Sequence, residues 1–137
     1  MIDIALAIAR KAHAGQVDKA GVDYIQHPLY VASQVKTEQE KAVALLHDVL
    51  EDSNITAVNL LAYGLPNEVV TAVQTLTKKK GQSYQGYLEK VKSNDLARVV
   101  KLADLKHNSD SSRLKSVSDT DRERVEKYKN AIRYLST

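Results

Sequence analysis

The sequence predicts an all-α protein, a single-domain bundle of about seven or eight helices over residues 1–137. Apolar residues recur at the three- and four-residue intervals of a helix along nearly the whole chain, and strand-like alternation is hard to find. Residues typical of helix starts and stops separate these stretches. A chain of 137 residues has the size of one domain and can bury about 65–70% of its unfolded surface, so it needs neither a disulfide nor a metal merely to fold.

The first part of the chain contains two predicted helices joined by a long loop. The first helix has an apolar stripe of isoleucines and alanines and ends near Gly15. The segment 15–28 contains two glycines and no helical period, which indicates an ordered loop. Pro28 then opens a short helix, because proline fits the first helical turn and fixes its start.

Cap signals define the helices in the middle of the chain. Thr37 and Glu40 form a predicted capping box, in which each side chain satisfies a backbone donor of the other residue. The helix that begins there should run unbroken to Asp52. The two helices after it should stop at Gly64 and before Gly81, since glycine commonly ends a helix.

Three more predicted helices complete the bundle. Ser83 is the expected cap of the first and Asp95 of the second, whose apolar run closes on Asp104. A polar stretch follows over 109–119. The last helix carries apolar residues at intervals of three and four over 125–135.

Composition and charge exclude several classes of protein. The chain has no cysteine, which rules out disulfides, thiolate metal sites and thiol nucleophiles, and makes a reducing cytoplasm the expected location. No apolar run approaches the roughly 20 residues that cross a bilayer, and the N-terminal residues lack the basic flank of a signal peptide. We therefore expect a soluble protein with no membrane partner, and the sequence does not indicate its oligomeric state.

The net charge of +3 is modest, and the lysines and arginines are mixed with acids. This distribution argues against nucleic-acid binding, although a basic rim could still attract a small polyanion such as a nucleotide. The dense lysine cluster at 78–80 either offsets the negative end of a helix or attracts substrate.

The segment 44–52 places polar groups inside an otherwise apolar helix. His47 and Asp48 are adjacent, and Glu51 and Asp52 follow one turn later, so a regular helix would present all four along one side. A buried carboxylate without a partner is costly, and a cation is its natural partner. A solvated helix end with a chance histidine is the alternative.

Two other segments supply matching groups. His27 lies directly before the proline that opens a helix, and Asp104 closes an apolar run in which an acid without a ligand would be a poor core residue. Together with His47 and Asp48 they provide two imidazoles and two carboxylates. This mixed nitrogen and oxygen set suits Mn, Fe or Zn, and we predict that His27, His47, Asp48 and Asp104 bind one divalent metal, with Mn²⁺ the leading candidate.

This ligand order resembles that of the HD-domain metal-dependent phosphohydrolases, in which a His precedes a His-Asp pair and a distant Asp. A wider set of segments resembles the hydrolase domain of the RelA/SpoT alarmone enzymes and covers most of the chain; these segments are 12–16, 24–32, 45–52, 101–104 and 107–108. Each piece alone would be a weak signal, but their combined order and spacing is specific.

The resemblance implies roles for residues around the metal. Glu51 and Asp52 match the acidic pair implicated in catalysis, where they would position or deprotonate the attacking water; the alternative is that they only support neighbouring side chains. Lys19 would bind a phosphate and Asn108 would lie near the sugar. Asp18 stands in this substrate-binding loop where the best-known alarmone hydrolases have an arginine that stacks on the base.

The remaining histidines are not assigned to the predicted site. His13 is expected to be a local hydrogen-bonding group at a helix end. His107 is expected to point elsewhere on its helix and to be structural or exposed. The segment 105–110 also differs from the Arg-Leu-His-Asn-Met-Arg pattern of the alarmone hydrolases.

Together these features predict a metal-dependent phosphohydrolase that resembles (p)ppGpp 3′-pyrophosphohydrolases and hydrolyses a 3′-(di)phosphorylated nucleotide. We expect no synthetase region after residue 137, and therefore no pyrophosphate transfer from ATP. One alternative is a related enzyme for another nucleotide or a phosphorylated cofactor. Another is a catalytically silent nucleotide-binding module, although such a module has no need for both metal ligands and an acidic pair.

Overall fold

The computed structural model describes residues 1–110 and 117–137, and helices joined by loops and turns make up this part of the chain. The helices are α1 (Ile2–Ala12), α2 (Gln26–Ser33), α3 (Glu38–Leu46), α4 (Val49–Asp52), α5 (Ala57–Ala62), α6 (Asn67–Leu76), α7 (Tyr84–Lys92), α8 (Asp95–Asn108) and α9 (Asp119–Leu135). An isolated antiparallel bridge joins Val17 to Asp23, and the described residues form no β-strand. The all-α prediction is confirmed; residues 1–110 and 117–137 contain eight helices if the single turn α4 is counted with α3.

Helix α3 lies at the centre of the bundle. It packs against α1, α2, α6 and α8, and its last five residues, 42–46, are all buried. Leu46 is fully buried, which stabilises the fold by about 1.5–3 kcal/mol relative to an exposed leucine. The C-terminal end of α3 is therefore held in the core, between the helices that carry the other predicted ligands.

Most of the predicted caps are present. Thr37 Oγ1 accepts a hydrogen bond from the Glu40 amide at 3.1 Å, and Glu40 Oε1 accepts one from the Thr37 amide at 3.0 Å. Ser83 caps α7 as predicted. The prediction for α8 was wrong by one residue, because Asn94 is the cap and Asp95 lies in the first turn, where its charge still favours the helix dipole.

The loop before α2 is ordered, as predicted. The Asp18 amide donates to the Val22 carbonyl at 2.9 Å and the Tyr24 amide donates to the Gln16 carbonyl at 2.8 Å, which makes a short hairpin-like turn. Gly21 closes this turn with a φ of 82°, a conformation that favours glycine. Helix α2 begins shortly before Pro28, which lies in the first turn, where its missing amide donor costs no hydrogen bond.

The prediction of an unbroken helix from Thr37 to Asp52 was wrong. Helix α3 ends at Leu46, a two-residue turn follows, and Asp48 has a φ of −105° and a ψ of −1° before α4 begins. The cause is the His47 side chain, whose Nδ1 donates to the Ala44 carbonyl at 2.6 Å. A continuing helix would use that carbonyl for the Asp48 amide, so the side chain competes with the backbone.

As a consequence, the four polar groups of segment 44–52 do not share one regular helical face. The middle of the predicted polar stretch, residues 111–116, lies outside the described residues. Within 1–110 and 117–137, no helix has the length and apolar character that crossing a bilayer requires.

Candidate functional site

Three buried polar side chains from three parts of the chain meet next to the C-terminal end of α3. His27 from α2, His47 from the turn after α3 and Asp104 from α8 are only 5%, 3% and 4% exposed. His27 Nε2 lies 2.7 Å and His47 Nε2 lies 3.3 Å from Oδ1 of Asp104. Each residue offers one possible ligand atom, and these three atoms all lie within 4.8 Å of one another.

Asp48 joins this group through His47. Its Oδ2 lies 3.1 Å from His47 Nε2 and accepts a short hydrogen bond from the Tyr24 hydroxyl. Asp48 is only half-buried, and it is not one of the three residues whose ligand atoms are all mutually close. The four predicted ligands are thus brought together as a close group of three, with Asp48 on the side nearer the solvent.

The chemistry of this group fits a divalent metal. The Nδ1–H of His47 donates to the Ala44 carbonyl, so in the neutral imidazole the lone pair of Nε2 is left for a ligand. His47 Nε2 is buried, faces two carboxylates and has no hydrogen-bond partner among the described residues. A buried imidazole nitrogen of this kind, next to carboxylates, is the arrangement that a metal ion would satisfy.

The charges of the group depend on each other. Burial alone would raise the pKa of Asp104, but Lys101 and His47 hold that pKa well below its usual value. Asp48 behaves similarly, and His47 lowers its pKa to about 2 against the effect of burial. Burial would lower the pKa of His47, but the two carboxylates raise it well above its usual value. Both carboxylates therefore stay anionic at neutral pH, with positive charge from Lys101 and His47 beside them.

Two residues of α8 orient the Asp104 carboxylate. Lys101 Nζ donates to Oδ2 at 3.0 Å, and Asn108 Nδ2 donates to Oδ1 at 3.0 Å. Lys101 was missed by the sequence analysis, although its position three residues before Asp104 places both side chains on one helical face. Asn108, predicted to bind substrate, contacts Asp104 and also lines a cavity next to it.

The predicted catalytic acids are held by different parts of the chain. Glu51 Oε1 accepts from the Lys78 amide at 2.8 Å, while Asp52 Oδ2 accepts from Gln16 Nε2 at 3.3 Å. Burial raises the pKa of Glu51, with the Lys78 amide opposing it. Glu51 also lines a cavity of about 240 Å³ together with His47 and Asp48, so it faces the same space as the candidate ligands.

His13 is the local hydrogen-bonding group that the sequence predicted. Its Nδ1 lies 3.0 Å from Oε1 of Gln16, and its ring packs 4.9 Å from the ring of Tyr24. It is only 2% exposed. His13 therefore supports the loop that carries Gln16 and is not part of the close ligand group.

A larger cavity of about 400 Å³ lies next to residues that contact the ligand group. It is lined by Gln16, Val17, Asp18, Lys19, Ala20, Tyr24, Asn108, Asp110, Asp121, Arg124, Val125 and Tyr128. Tyr24 and Asn108 connect it to the ligand group, because they bond to Asp48 and Asp104. Arg124 and Tyr128 were missed by the sequence analysis; their spacing of four on α9 is the signal that could have paired them.

The two predicted substrate-binding residues of the loop make contacts within the protein. Lys19 Nζ donates to Asp121 Oδ1 of α9 at 3.0 Å. Exposed ion pairs such as this one contribute little to stability. Asp18 Oδ1 accepts from the amides of Ala20 and Val22 at 2.9 and 3.0 Å, so it stabilises the turn of its own loop. Both residues also line the larger cavity.

The prediction that His107 points away from the site was wrong. His107 Nδ1 lies 2.7 Å from Nδ1 of His27, and the Tyr30 ring packs against the His107 ring. The reason is helical geometry. His107 follows Asp104 by three residues on α8, and residues three apart share one face of a helix.

The chain is similar in sequence to two bacterial proteins over about three quarters of its length. No family model matches the chain. It is 38% identical over 115 residues to the guanosine-3′,5′-bis(diphosphate) 3′-pyrophosphohydrolase of Haemophilus influenzae, covering 74% of this chain and 17% of that protein. It is 32% identical over 118 residues to the bifunctional (p)ppGpp synthase/hydrolase SpoT of Escherichia coli K12, covering 76% of this chain and 17% of that protein.

A solved structure described as a metazoan ortholog of SpoT that hydrolyzes ppGpp has the same fold. It superposes with a TM-score of 0.78 and 21% identity, over 98% of this chain and 84% of that one. The chain spans about 17% of the length of the two bacterial relatives. By sequence similarity and by fold, the chain is an HD-domain protein of the RelA/SpoT hydrolase-like kind.

Proposed function

We propose that the chain is a metal-dependent phosphohydrolase that removes a pyrophosphate or phosphate group from the 3′ position of a nucleotide, similar to the (p)ppGpp 3′-pyrophosphohydrolases. The observation that carries this proposal is the buried group of His27, His47 and Asp104, with Asp48 beside it and two cavities close by. The similarity to two bacterial proteins named for (p)ppGpp hydrolysis supports it. We propose Mn²⁺ as the metal, because the ligand set combines imidazoles with carboxylates and lacks thiolates.

In this proposal His27, His47, Asp48 and Asp104 hold the metal. When bound, a divalent ion lowers the pKa of a coordinated water and polarises the phosphoryl group. Lys101 and Asn108 keep the Asp104 carboxylate oriented. Tyr24 orients Asp48 in the same way, because its hydroxyl donates a hydrogen bond to Oδ2.

Glu51 and Asp52 are the proposed catalytic acids. Glu51 lies at the wall of the smaller cavity, and its raised pKa makes it a better proton acceptor than an ordinary glutamate. We propose that Glu51 accepts the proton of the attacking water. Asp52, held by Gln16, positions the water or the substrate from the side of the loop.

The two cavities suggest how a nucleotide lies across the site. The smaller cavity is lined by Lys78, Lys101 and Lys127, a concentration of positive charge that suits the phosphate groups. The larger cavity, which includes Lys19 and Arg124, has room for the nucleoside. Lys19 would exchange its ion pair with Asp121 for a substrate phosphate, and Asn108 would lie near the sugar.

A related enzyme for another nucleotide or a phosphorylated cofactor is the second candidate. The observation that favours it is Asp18, an acid in the wall of the larger cavity at a position where the resemblance leads us to expect a stacking arginine. A silent binding module is disfavoured, since the chain retains both the ligand group and the acid at the cavity wall. The absence of cysteine supports our proposal of a cytoplasmic location.

The direct test is hydrolysis by protein freed of metal and reloaded with Mn²⁺. Guanosine 3′,5′-bis(diphosphate) and a panel of 3′-phosphorylated nucleotides are supplied, and released pyrophosphate and phosphate are measured separately. We expect metal-dependent pyrophosphate release from the guanosine compound, abolished in Asp104→Asn. Asp95→Asn, an exposed change on the same helix, is the matched control and should keep full activity.

Each other outcome of this experiment has a defined meaning. Hydrolysis confined to another member of the panel would favour the second candidate. Tight nucleotide binding without release of either product, with Mn²⁺ present, would favour the silent module and refute the proposal.

A further inference from the structure

The His107 side chain makes a contact with a proposed metal ligand that the mechanism above does not use. Its Nδ1 lies 2.7 Å from Nδ1 of His27, while the other ring nitrogen of His27, Nε2, lies 2.7 Å from Oδ1 of Asp104. Two imidazole nitrogens approach this closely only when one carries a proton and donates it to the other, because two lone pairs or two N–H groups repel. His27 and His107 therefore share one proton.

The contact is an in-plane hydrogen bond between the two rings. Atoms of rings stacked face to face are about 3.5–4.0 Å apart, so the nitrogen-to-nitrogen distance of 2.7 Å is too short for a stack. The two ring planes differ by 9° and their centroids are 4.9 Å apart, which places the rings largely side by side. In that arrangement the N–H of one ring points along the lone pair of the other.

Tyr30 holds His107 from the face of its ring. The two ring centroids are 4.2 Å apart and the planes differ by 23°. Tyr30 follows His27 by three residues on α2, and His107 follows Asp104 by three residues on α8. The contact is therefore built from the same two helices that carry the proposed ligands, and these helices pack against each other.

We propose that His107 is a positioning residue for His27. In the metal-loaded protein it accepts the Nδ1 proton of His27 and holds the tautomer whose Nε2 lone pair faces the metal. This inference rests on the proposed function, because it takes His27 as a ligand. Histidines that bind metals commonly donate their second N–H to a carboxylate, a backbone carbonyl or water; here the acceptor is a second imidazole, which can also donate.

The ability of the His107 ring to donate a hydrogen bond matters before the metal binds. In the metal-free protein, the contact between His27 Nε2 and Asp104 is satisfied by a proton on Nε2, and His107 then donates its own Nδ1 proton to His27. On loading, the proton between the rings passes from His107 Nδ1 to His27 Nδ1. His27 loses its Nε2 proton, and His107 gains one at its own Nε2. The total number of protons on the two rings does not change.

The first test observes these protons in the unaltered protein. Long-range ¹H–¹⁵N spectra of the imidazoles are recorded without metal and with Zn²⁺, a diamagnetic probe. We expect the His27 proton on Nε2 without zinc and on Nδ1 with zinc, and the opposite change at His107. Zinc bound to a His27 that lacks the Nδ1 proton would overturn this inference alone. Zinc that leaves His27 uncoordinated would overturn both the inference and the proposed metal centre.

The second test uses variants and measures zinc affinity by competition with a chelating dye. His107→Phe keeps a ring for Tyr30 but has no acceptor, and it should weaken zinc binding by about 10- to 100-fold. His107→Gln restores an acceptor and should recover most of the affinity. Lys106→Ala, an exposed neighbour on α8, is the matched control. Wild-type affinity in His107→Phe, or equal losses in the Phe and Gln variants, would show that the residue only fills space.

Discussion

The buried ion pair between Lys101 and Asp104 allows a quantitative test of the electrostatics of the site. The two groups are 3.0 Å apart, and their side chains are only 16% and 5% exposed. Burial alone would lower the pKa of Lys101, but Asp104 raises it well above the usual value for lysine. Replacing Lys101 by methionine keeps the length of the side chain and removes the charge.

The size of the effect follows from the distance and the burial. Two unit charges 3.0 Å apart attract by about 5–6 kcal/mol at an effective dielectric constant of about 20. Removing one partner of a buried pair typically costs about 3–5 kcal/mol, because the other charge is left unpaired. Asp104 keeps His27, His47 and Asn108 as partners, so we expect a loss of about 2–3 kcal/mol.

The assay is equilibrium unfolding in urea with a chelator present. For a chain of this size, a loss of about 2–3 kcal/mol also lowers the melting temperature by roughly 7–10 °C. Added Mn²⁺ should stabilise Lys101→Met, because the bound ion supplies positive charge to Asp104. Lys106→Met on the exposed side of α8 is the control and should change the free energy of unfolding by less than about 0.5 kcal/mol. A loss that small in Lys101→Met would refute the assignment of Lys101 as the charge partner of Asp104.

Three further predictions concern catalysis, substrate choice and folding. Glu51→Gln should lower turnover by about 10²-fold or more and leave metal content unchanged; loss of metal together with activity would make Glu51 structural. Asp18→Asn keeps the acceptor for the turn and removes a negative charge from the larger cavity, so it should lower the Michaelis constant for guanosine 3′,5′-bis(diphosphate), whereas an unchanged or higher constant would contradict this. Thr37→Ala removes the acceptor of the Glu40 amide and should cost about 1 kcal/mol in urea unfolding, with no effect on metal affinity.

Several parts of the fold and the site could be predicted because they depend on local rules. The capping box at Thr37 involves residues three apart, and the loop at 15–28 follows from its glycines. The meeting of His27, His47 and Asp104 could be predicted because His47 and Asp104 are polar groups in apolar runs and need partners, while His27 lies directly before the proline of a helix start.

Other features depend on competition or on distant contacts. The break after Leu46 arises because the His47 side chain takes the Ala44 carbonyl from the backbone, and the periodicity of the sequence contains no sign of that choice. The pairing of Lys19 with Asp121 joins residues 102 positions apart. Tertiary packing alone decides such a contact, and the same is true of the placement of Arg124 in the larger cavity.

We propose that one divalent metal binds between His27, His47 and Asp104, with Asp48 beside them. The most direct measurement is a crystal structure of Mn²⁺-loaded protein with anomalous diffraction data. We predict one anomalous peak, with the Nε2 atoms of both histidines and one oxygen of each aspartate about 2.0–2.4 Å from it. A manganese ion bound elsewhere, or no ion between these side chains at saturating Mn²⁺, would contradict the account.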